Sequence, residues 1–525
     1  MPLSVSELKL TDVAVPGFSV AWLLREFLGF VRNEPPRPAA GRAPHREPFS
    51  RLDLYVPALI AICFYLLAIY RLYTPNTQIF DEVHHARTAM EYVDGLNPHE
   101  WSHPPFSKLM MALSLKAWGG EFNPRDGVWT PNSHFSDRSA VGWRFASVLF
   151  GTLTLPALYA LARVLFGNRA VAIAAAVLLA LDGVFFVQSR VAMTNIFTVF
   201  FITVAATGVA LFLQRQQARW LLLAGIGLGF AIASRWSSLY AWAITVFLLF
   251  AQWFFLATQP VPVPAPAVIL AGGDEPPLPD AAAPPLGGLK LLGAALLCLV
   301  LVPFVVYFAT YLPNLLQGPG TVAQKLFTAN GPNGIGWVKT FTLQADMFNY
   351  HATLKASHPY DSPWWSWPLE LRPVWYFYEG SKGRMSGIWA IGNVFIWWGS
   401  VPAFLALLYL GWRERSARLL LPCSLLAAYG LGQWLAWGVK ARALNFMHYY
   451  FECIPFACIA LAYLGWRLWI SEADGPSARR LRRLFVAGYG AALVAWFLFY
   501  YPLLAAYPVS DQYYGLHLWL GRAWV

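Results

Sequence analysis

The sequence predicts an all-α polytopic membrane protein. Three observations carry that prediction: the composition, a series of long apolar runs, and the placement of arginines between them. The chain is 58% hydrophobic and 12% charged, and it holds 25 tryptophans. A soluble domain of this size carries about 25% charged and about 45–50% apolar residues. Mean hydropathy is +0.47. The formal net charge of +11 does not imply nucleic acid, because the arginines collect in alternate loops as membrane topology requires. No nucleic-acid motif accompanies them. The five cysteines fall in apolar runs without zinc spacing, which argues against a structural disulfide or zinc site.

Taken in order, Met1–Leu10 alternates acids and bases and is no secretory signal. Val15–Val31 is apolar but short and contains Arg25 and Glu26, so it reads as a helix lying on the membrane surface. Asn33–Arg51 is a Pro- and Arg-rich linker. Runs long enough to cross a hydrocarbon core of ~30 Å then give about eleven spans. They are Leu54–Tyr73, Val141–Leu165, Ala170–Val187, Ile196–Leu213, Leu221–Trp236, Leu239–Ala257, Leu291–Leu312, Ile388–Leu410, Leu419–Val439, Phe446–Trp466 and Leu484–Leu504. Arg163 and Arg169, Arg215 and Arg219, Arg413 to Arg418, and Arg467 to Arg483 mark one set of loops. With the basic N-terminal segment, that set is assigned to the cytoplasm. An odd span count then puts the N-terminus inside and the C-terminus outside. The expected organisation is a cytoplasmic segment 1–53 followed by a transmembrane catalytic domain 54–525. Within it, 74–140 is the first outer loop, 258–289 a Pro/Ala/Gly-rich cytoplasmic linker, and 313–387 a long outer loop. Neither outer loop shows a repeat of strands or a core of its own.

The polar exception is Gln78–Lys108, where adjacent Asp81 and Glu82 are followed by His84, His85, Arg87, Glu91, Asp94, His99, Glu100 and His103. A solvated loop is one reading, and a reaction cleft is the other. Few cations remain on the outer side: Arg144, Arg190, Arg235, Lys440 and Arg442 at span ends, and Arg372 in the long loop. Each could snorkel to headgroups, or together they could hold a phosphate. An outer acid pair beside such cations describes an enzyme using a lipid-linked phosphate. Transfer of a sugar from a lipid monophosphate needs charge stabilisation of the leaving phosphate and a carboxylate base on the acceptor hydroxyl. One base and no covalent intermediate give inversion at the sugar.

The string FDEVHHARTAMEYVDG…HPPFSKLMMAL resembles the first outer loop of the protein O-mannosyltransferases. WRFASVLFGTLTLPALYAL, DGVFFVQSRVAMTNIFTVFF, SRWSSLY, SHPYDSPWWSWPLELRPVWYFYEG with IGNVFIWW, and HYYFECIPF are similar to further family segments in the same order, over roughly Leu54–Trp466. The resemblance implies a GT-C fold, a polyprenyl-phosphate mannose donor, and a Ser or Thr of a secreted or membrane protein as acceptor. It implies Asp81 as general base, Glu82 positioning acceptor or base, and Arg144 supporting the acid pair or the donor. Arg235 and Arg372 are candidates for the donor phosphate, with Lys108 as a further cation, while His103 shapes the loop or acceptor site. Two departures stand out. Thr194-Asn195 occupies the place of an L-D or M-D pair, so a position near the site keeps hydrogen bonding and loses charge. Arg235 replaces a lysine, giving a forked donor in place of a point charge. The β-trefoil insert of the eukaryotic enzymes is absent from the long loop, as in bacterial members. That implies a bacterial inner-membrane protein with its site on the periplasmic or extracellular face. Association with the secretion machinery is compatible with a translocated acceptor.

No metal and no cofactor are expected. His84, His85, His99 and His103 could be zinc ligands, but adjacent histidines diverge. Gly225-x-Gly227-x-Gly229 lies in an apolar helix and reads as close helix packing, not a nucleotide loop. The tryptophans of PWWSWP are either a sugar platform or interfacial anchors. Asp346, Asp361 and Glu370 read as solvated. Two alternatives stand beside the mannosyltransferase reading. One is a GT-C transferase moving another sugar, such as aminoarabinose, to a lipid or glycan. The other is a lipid-linked sugar transporter, which would place ionisable groups at mid-span.

Overall fold

A computed structural model describes residues 46–123, 125, 128–131, 139–258, 288–316, 337–414, 417–439, 443–471, 475–519 and 521. The surface helix expected at Val15–Val31, Lys440, Arg442 and nearly all of the linker expected at 258–289 lie outside them. Eight described helices are long and apolar enough to cross a membrane: Leu52–Ile69, Ala140–Phe166, Asn195–Arg215, Gly288–Ala309, Val394–Glu414, Leu419–Val439, Met447–Ile470 and Gly475–Leu504. Three shorter apolar helices, Arg169–Ala180, Ala218–Ser234 and Ser238–Phe254, stand where further spans were expected. The chain is a mostly helical multi-pass membrane protein.

Several boundaries differ from the sequence expectation for local reasons. The expected third span is interrupted after Ala180, where the Asp182 side chain accepts from the Phe185 amide and starts a second short helix, Gly183–Gln188. The expected eighth span begins late because Ile388–Ala390 belongs to a strand, and the helix starts at Val394. The tenth opens as a 3₁₀ turn over Met447–Cys453 before Ile454–Ile470, with a proline in the first turn of the latter. The chain is also not purely helical. Strands β1 (Gly120–Asn123) and β2 (Val128–Pro131) form one antiparallel pair. Strands β3 (Val374–Ser381), β4 (Arg384–Ala390) and β5 (Val509–Ser510) form an antiparallel sheet in the order β3-β4-β5.

Small residues set the helix packing. A Cβ on Gly225 would fall 1.7 Å from the Cys298 carbonyl oxygen, in a π-helical stretch, Leu296–Leu301, within the Gly288–Ala309 span. Gly227 faces the Phe201 carbonyl and Ala205, and Gly229 faces Val306 and Pro303. The glycine triplet is therefore helix contact, as its apolar setting predicts.

The Ala140–Phe166 helix, roughly 40 Å long at 1.5 Å per residue, is fastened at both ends. Near its C-terminus Arg163 pairs with Asp53 at 2.5 Å, and Tyr159 and Arg169 reach the same carboxylate at 2.8 and 3.0 Å. Near its N-terminus Arg144 holds the loop that follows the Leu52–Ile69 helix. Arg190 gives its guanidinium to the carbonyls of Ala68, Tyr70 and Arg71. There a cation meets the unsatisfied C-terminal carbonyls of that helix, so Arg190 fastens a helix end.

Candidate active site

The chain leaves the first span and reaches Phe80, a non-glycine residue at φ +48°. Such a conformation costs about 1–3 kcal/mol and persists where the surroundings hold it. Here the Phe80 ring stacks on Tyr376 of β3 with centroids 4.6 Å apart. The turn opens the Glu82–Val93 helix and separates the two adjacent acids. Asp81 faces a cleft of about 580 Å³, whereas Glu82 is fully buried behind it.

Glu82 and Arg144 form a bidentate pair, with Nε to Oε1 and Nη2 to Oε2 both at 2.8 Å. The remaining Arg144 donors go to the carbonyls of Leu72, Pro75 and Thr77 at 2.8–3.0 Å. Glu82 in turn accepts from the amides of Ile79 and Ala192. Arg144 is 1% exposed, and every N–H it has is engaged inside this strut. Lys108, expected as a donor-binding cation, is also 1% exposed. It gives its ammonium to Glu100 Oε2 at 2.5 Å and to the carbonyls of Glu100 and His103 at 2.8 Å each. Arg372 donates to the Pro359 carbonyl and is not among the residues that line the cleft. Of the expected cations, Arg235 alone lines it among the described residues.

Arg235 ends the Ala218–Ser234 helix in an extended conformation that turns its side chain toward the cleft. Its Nη1 donates to Asn195 Oδ1 at 2.9 Å and lies 4.0 Å from Glu452 Oε1. Its guanidinium stands 4.1 Å over the Tyr449 ring, a favourable cation–π geometry. Ser237 donates to the same Glu452 oxygen at 2.5 Å. Asn195, first residue of the Asn195–Arg215 helix, thus has its carbonyl fixed by Arg235. Its amide Nδ2 is buried without a hydrogen-bond partner among the described residues.

His84, His85, His99, Glu100 and His103 also line the cleft. His84 and His85 do diverge: His84 stacks on His99, with ring centroids 5.8 Å apart, and His85 turns toward Glu100 and His103. Among the described residues, no group of three or more His, Cys, Asp or Glu side chains is placed to hold a metal ion. Burial pushes His85 down to about 3 despite the Glu100 carboxylate 3.7 Å away, so His85 is neutral at pH 7. Burial would push Glu100 up, but Lys108 and His103 outweigh it and hold the carboxyl well below its usual range. Burial raises Asp81 above its ordinary value, and His103, His84 and Arg235 oppose that rise.

Residues that sequence reasoning did not single out complete the wall: His358, Phe446, His448 and Tyr449. Phe446 and His448 stack at 5.4 Å, and Phe80 meets both edge-on. The available signal was the HYYFECIPF string, which places a histidine and a carboxylate inside an apolar run. The PWWSWP tryptophans do not line the cleft. Trp367 is buried, Trp364 packs on Trp434, and Trp365 is exposed. Glu370, read as solvated, is fully buried and accepts from the Gly392 amide at 2.5 Å.

The profile described as dolichyl-phosphate-mannose-protein mannosyltransferase matches residues 58–317. That of the C-terminal four-span region of protein O-mannosyltransferase matches 336–524. The chain belongs to the protein O-mannosyltransferase family. The polyprenol-phosphate-mannose–protein mannosyltransferase of Corynebacterium glutamicum is 28% identical over 91% of this chain and 95% of that protein. The enzyme of that name from Mycobacterium tuberculosis is 27% identical over 85% of this chain and 86% of its own length. Among solved structures, the Saccharomyces cerevisiae protein O-mannosyltransferase Pmt1–Pmt2 complex bound to the sugar donor matches with TM-score 0.69 at 15% identity, over 90% of this chain and 93% of that one. An Archaeoglobus fulgidus oligosaccharyltransferase matches with TM-score 0.52, also at 15% identity, over 90% of this chain and 58% of that one. Both share the fold, which is that of the GT-C glycosyltransferases. As a protein O-mannosyltransferase family member, the chain is a membrane-embedded glycosyltransferase of the mannosyltransferase class.

Proposed function

We propose that this cleft transfers mannose, with inversion, from polyprenyl-phosphate mannose to a Ser or Thr hydroxyl of a translocated protein on the outer face of the plasma membrane. The observation that carries the reading is the pairing of Asp81 and Arg235 in one cleft, with burial raising the first and the second opposing that rise. In this reading Asp81 takes the acceptor proton. Arg235 meets the charge that develops on the departing phosphate, where a preorganised cation acts most strongly. Asn195 adds an amide donor beside it. Glu82 and Arg144 act one step back, as the strut that fixes the turn carrying Asp81. Lys108 and Glu100 brace the far side, and Arg372 supports the loop containing His358. The N-terminus lies inside and the C-terminus outside, the orientation that the arginine distribution and an odd number of spans favour.

The test is purified protein supplied with several polyprenyl-phosphate sugars and a panel of Ser/Thr peptides, lipids and glycans, with the product anomer assigned by NMR. The reading expects a mannosyl peptide whose anomeric configuration is opposite to that of the donor. A different preferred sugar, a non-peptide acceptor or retention of configuration would each contradict it.

A further inference from the structure

The proton that Asp81 takes must leave before the next turnover, and the structure offers a defined carrier. His103 is one of the groups lining the cleft with Asp81, and its side chain is 25% exposed. Its Nδ1 lies 3.1 Å from Glu100 Oε1, and its backbone amide donates to the same oxygen at 3.0 Å. Ser102 Oγ donates there at 2.6 Å, while Lys108 holds the other carboxylate oxygen. Glu100 is therefore an ionised acceptor, which places the hydrogen of neutral His103 on Nδ1. That leaves Nε2 as the basic edge, with no hydrogen-bond partner among the described residues. A carboxylate that fixes an imidazole in one tautomer leaves its other nitrogen able to take up and release a proton, and His103 shares its cleft with Asp81. The other groups facing His103 are His85, whose burial keeps it neutral, and His351. The His351 Nε2 is 2.8 Å from the Ser102 carbonyl.

We propose that the Glu100–His103 pair is the proton exit of the transferase, a role that rests on Asp81 being the base. As the acceptor oxygen bonds to C1 of the sugar, the C1–O(phosphate) bond breaks and its electron pair stays on the phosphate. The hydroxyl proton goes to the Asp81 carboxylate, from there to His103 Nε2, and then to water at the cleft mouth. Asp81 is left ionised for the next acceptor, and no oxidation or reduction occurs. His103 acts through Asp81 and is a relay residue with no direct part in bond making.

The test is His103→Asn, whose amide can still donate to Glu100 from the Nδ1 position but offers nothing at Nε2. With polyprenyl-phosphate mannose and a Ser/Thr peptide, kcat should fall about 10- to 100-fold while KM for both substrates stays within about twofold. The acid limb of the kcat–pH profile should shift, and added imidazole should restore turnover to His103→Ala. If the Asn variant melts early, His103→Ala measured with and without imidazole carries the test alone. Turnover within twofold of wild type overturns the relay, as does a loss in which kcat and KM change together with no response to pH or imidazole. If Asp81→Asn retains turnover, the reading of the site itself fails. If Asp81→Asn is inactive and His103→Asn is normal, only the relay fails.

Discussion

Arg144→Ala removes two bonds to Glu82 and three to the carbonyls of Leu72, Pro75 and Thr77. It leaves Glu82, which has no exposed surface, as an uncompensated carboxylate. Breaking one side of a buried ion pair costs about 3–5 kcal/mol, and each orphaned carbonyl adds about 1 kcal/mol unless water replaces the donor. The variant should therefore lose at least about 3 kcal/mol, read as a lower midpoint in a detergent-solubilised thermal melt. Glu82→Gln keeps the shape but leaves the guanidinium charge unpaired, and it should lose a similar amount. In a double-mutant cycle over Arg144→Ala and Glu82→Gln the two costs should not add, with a coupling of about 1–3 kcal/mol. The kinetic signature separates a strut from a phosphate ligand. Because Arg144 does not reach the cleft, the folded fraction of Arg144→Ala should show a reduced kcat with donor KM changed by less than about threefold. An unchanged melt together with a selective rise in donor KM would refute the strut, and so would costs that simply add.

Other perturbations have equally specific outcomes. Arg235→Ala should lower kcat/KM about a hundredfold or more without a matching loss of stability, since it removes a preorganised cation from the phosphate; Arg372→Ala should stay within about threefold of wild type by the same assay. His85, pushed down to about 3, binds its proton in the unfolded chain below pH 6.5 but not in the folded one. Stability should therefore fall as pH drops from about 6.5, by at most roughly 1.4 kcal/mol per pH unit, and thermal melts of His85→Asn should show a flatter slope. Gly225→Ala should cost about 1–3 kcal/mol or more by forcing its helix off the Cys298 carbonyl, visible as a lower melting midpoint with unchanged donor KM in the surviving fraction.

Much of the bundle was legible because a membrane span has to be an apolar run, and Ala140–Phe166 or Asn195–Arg215 cannot be read otherwise. What the runs conceal is where backbone hydrogen bonding changes type. Ile388–Ile391 is as apolar as the helix after it, so hydropathy joined the end of β4 to the span. The strands themselves carried a signal in Val374–Ser381 and Arg384–Ala390: aromatic and β-branched residues flank Lys382-Gly383, both at positive φ. Asp81 was legible as an acid outside a span, but the opposite fates of Asp81 and Glu82 were not. Successive residues at a helix start point about 100° apart, and which of them meets solvent is decided by Arg144, 62 positions away from Glu82. Lys108 looked like a free cation because its partner, Glu100, was one of several acids in the loop. Arg235 is the reverse case, a span-end arginine whose fixed orientation depends on Asn195, Tyr449 and Glu452, drawn from two other parts of the chain.

The central claim is that Asp81 is the base of a transferase whose phosphate is held by other groups. Asp81→Asn tests it most directly, with donor binding and transfer measured on the same purified sample. Burial raises the folded-state pKa of Asp81, so the ionised carboxylate costs stability once pH rises through that value. The Asn variant should accordingly melt no lower than wild type at pH 7, and slightly higher if anything. It should bind polyprenyl-phosphate mannose with nearly unchanged affinity and transfer mannose to a Ser/Thr peptide at least about a hundredfold more slowly. Near-wild-type turnover in a folded, donor-binding Asp81→Asn protein would contradict the account.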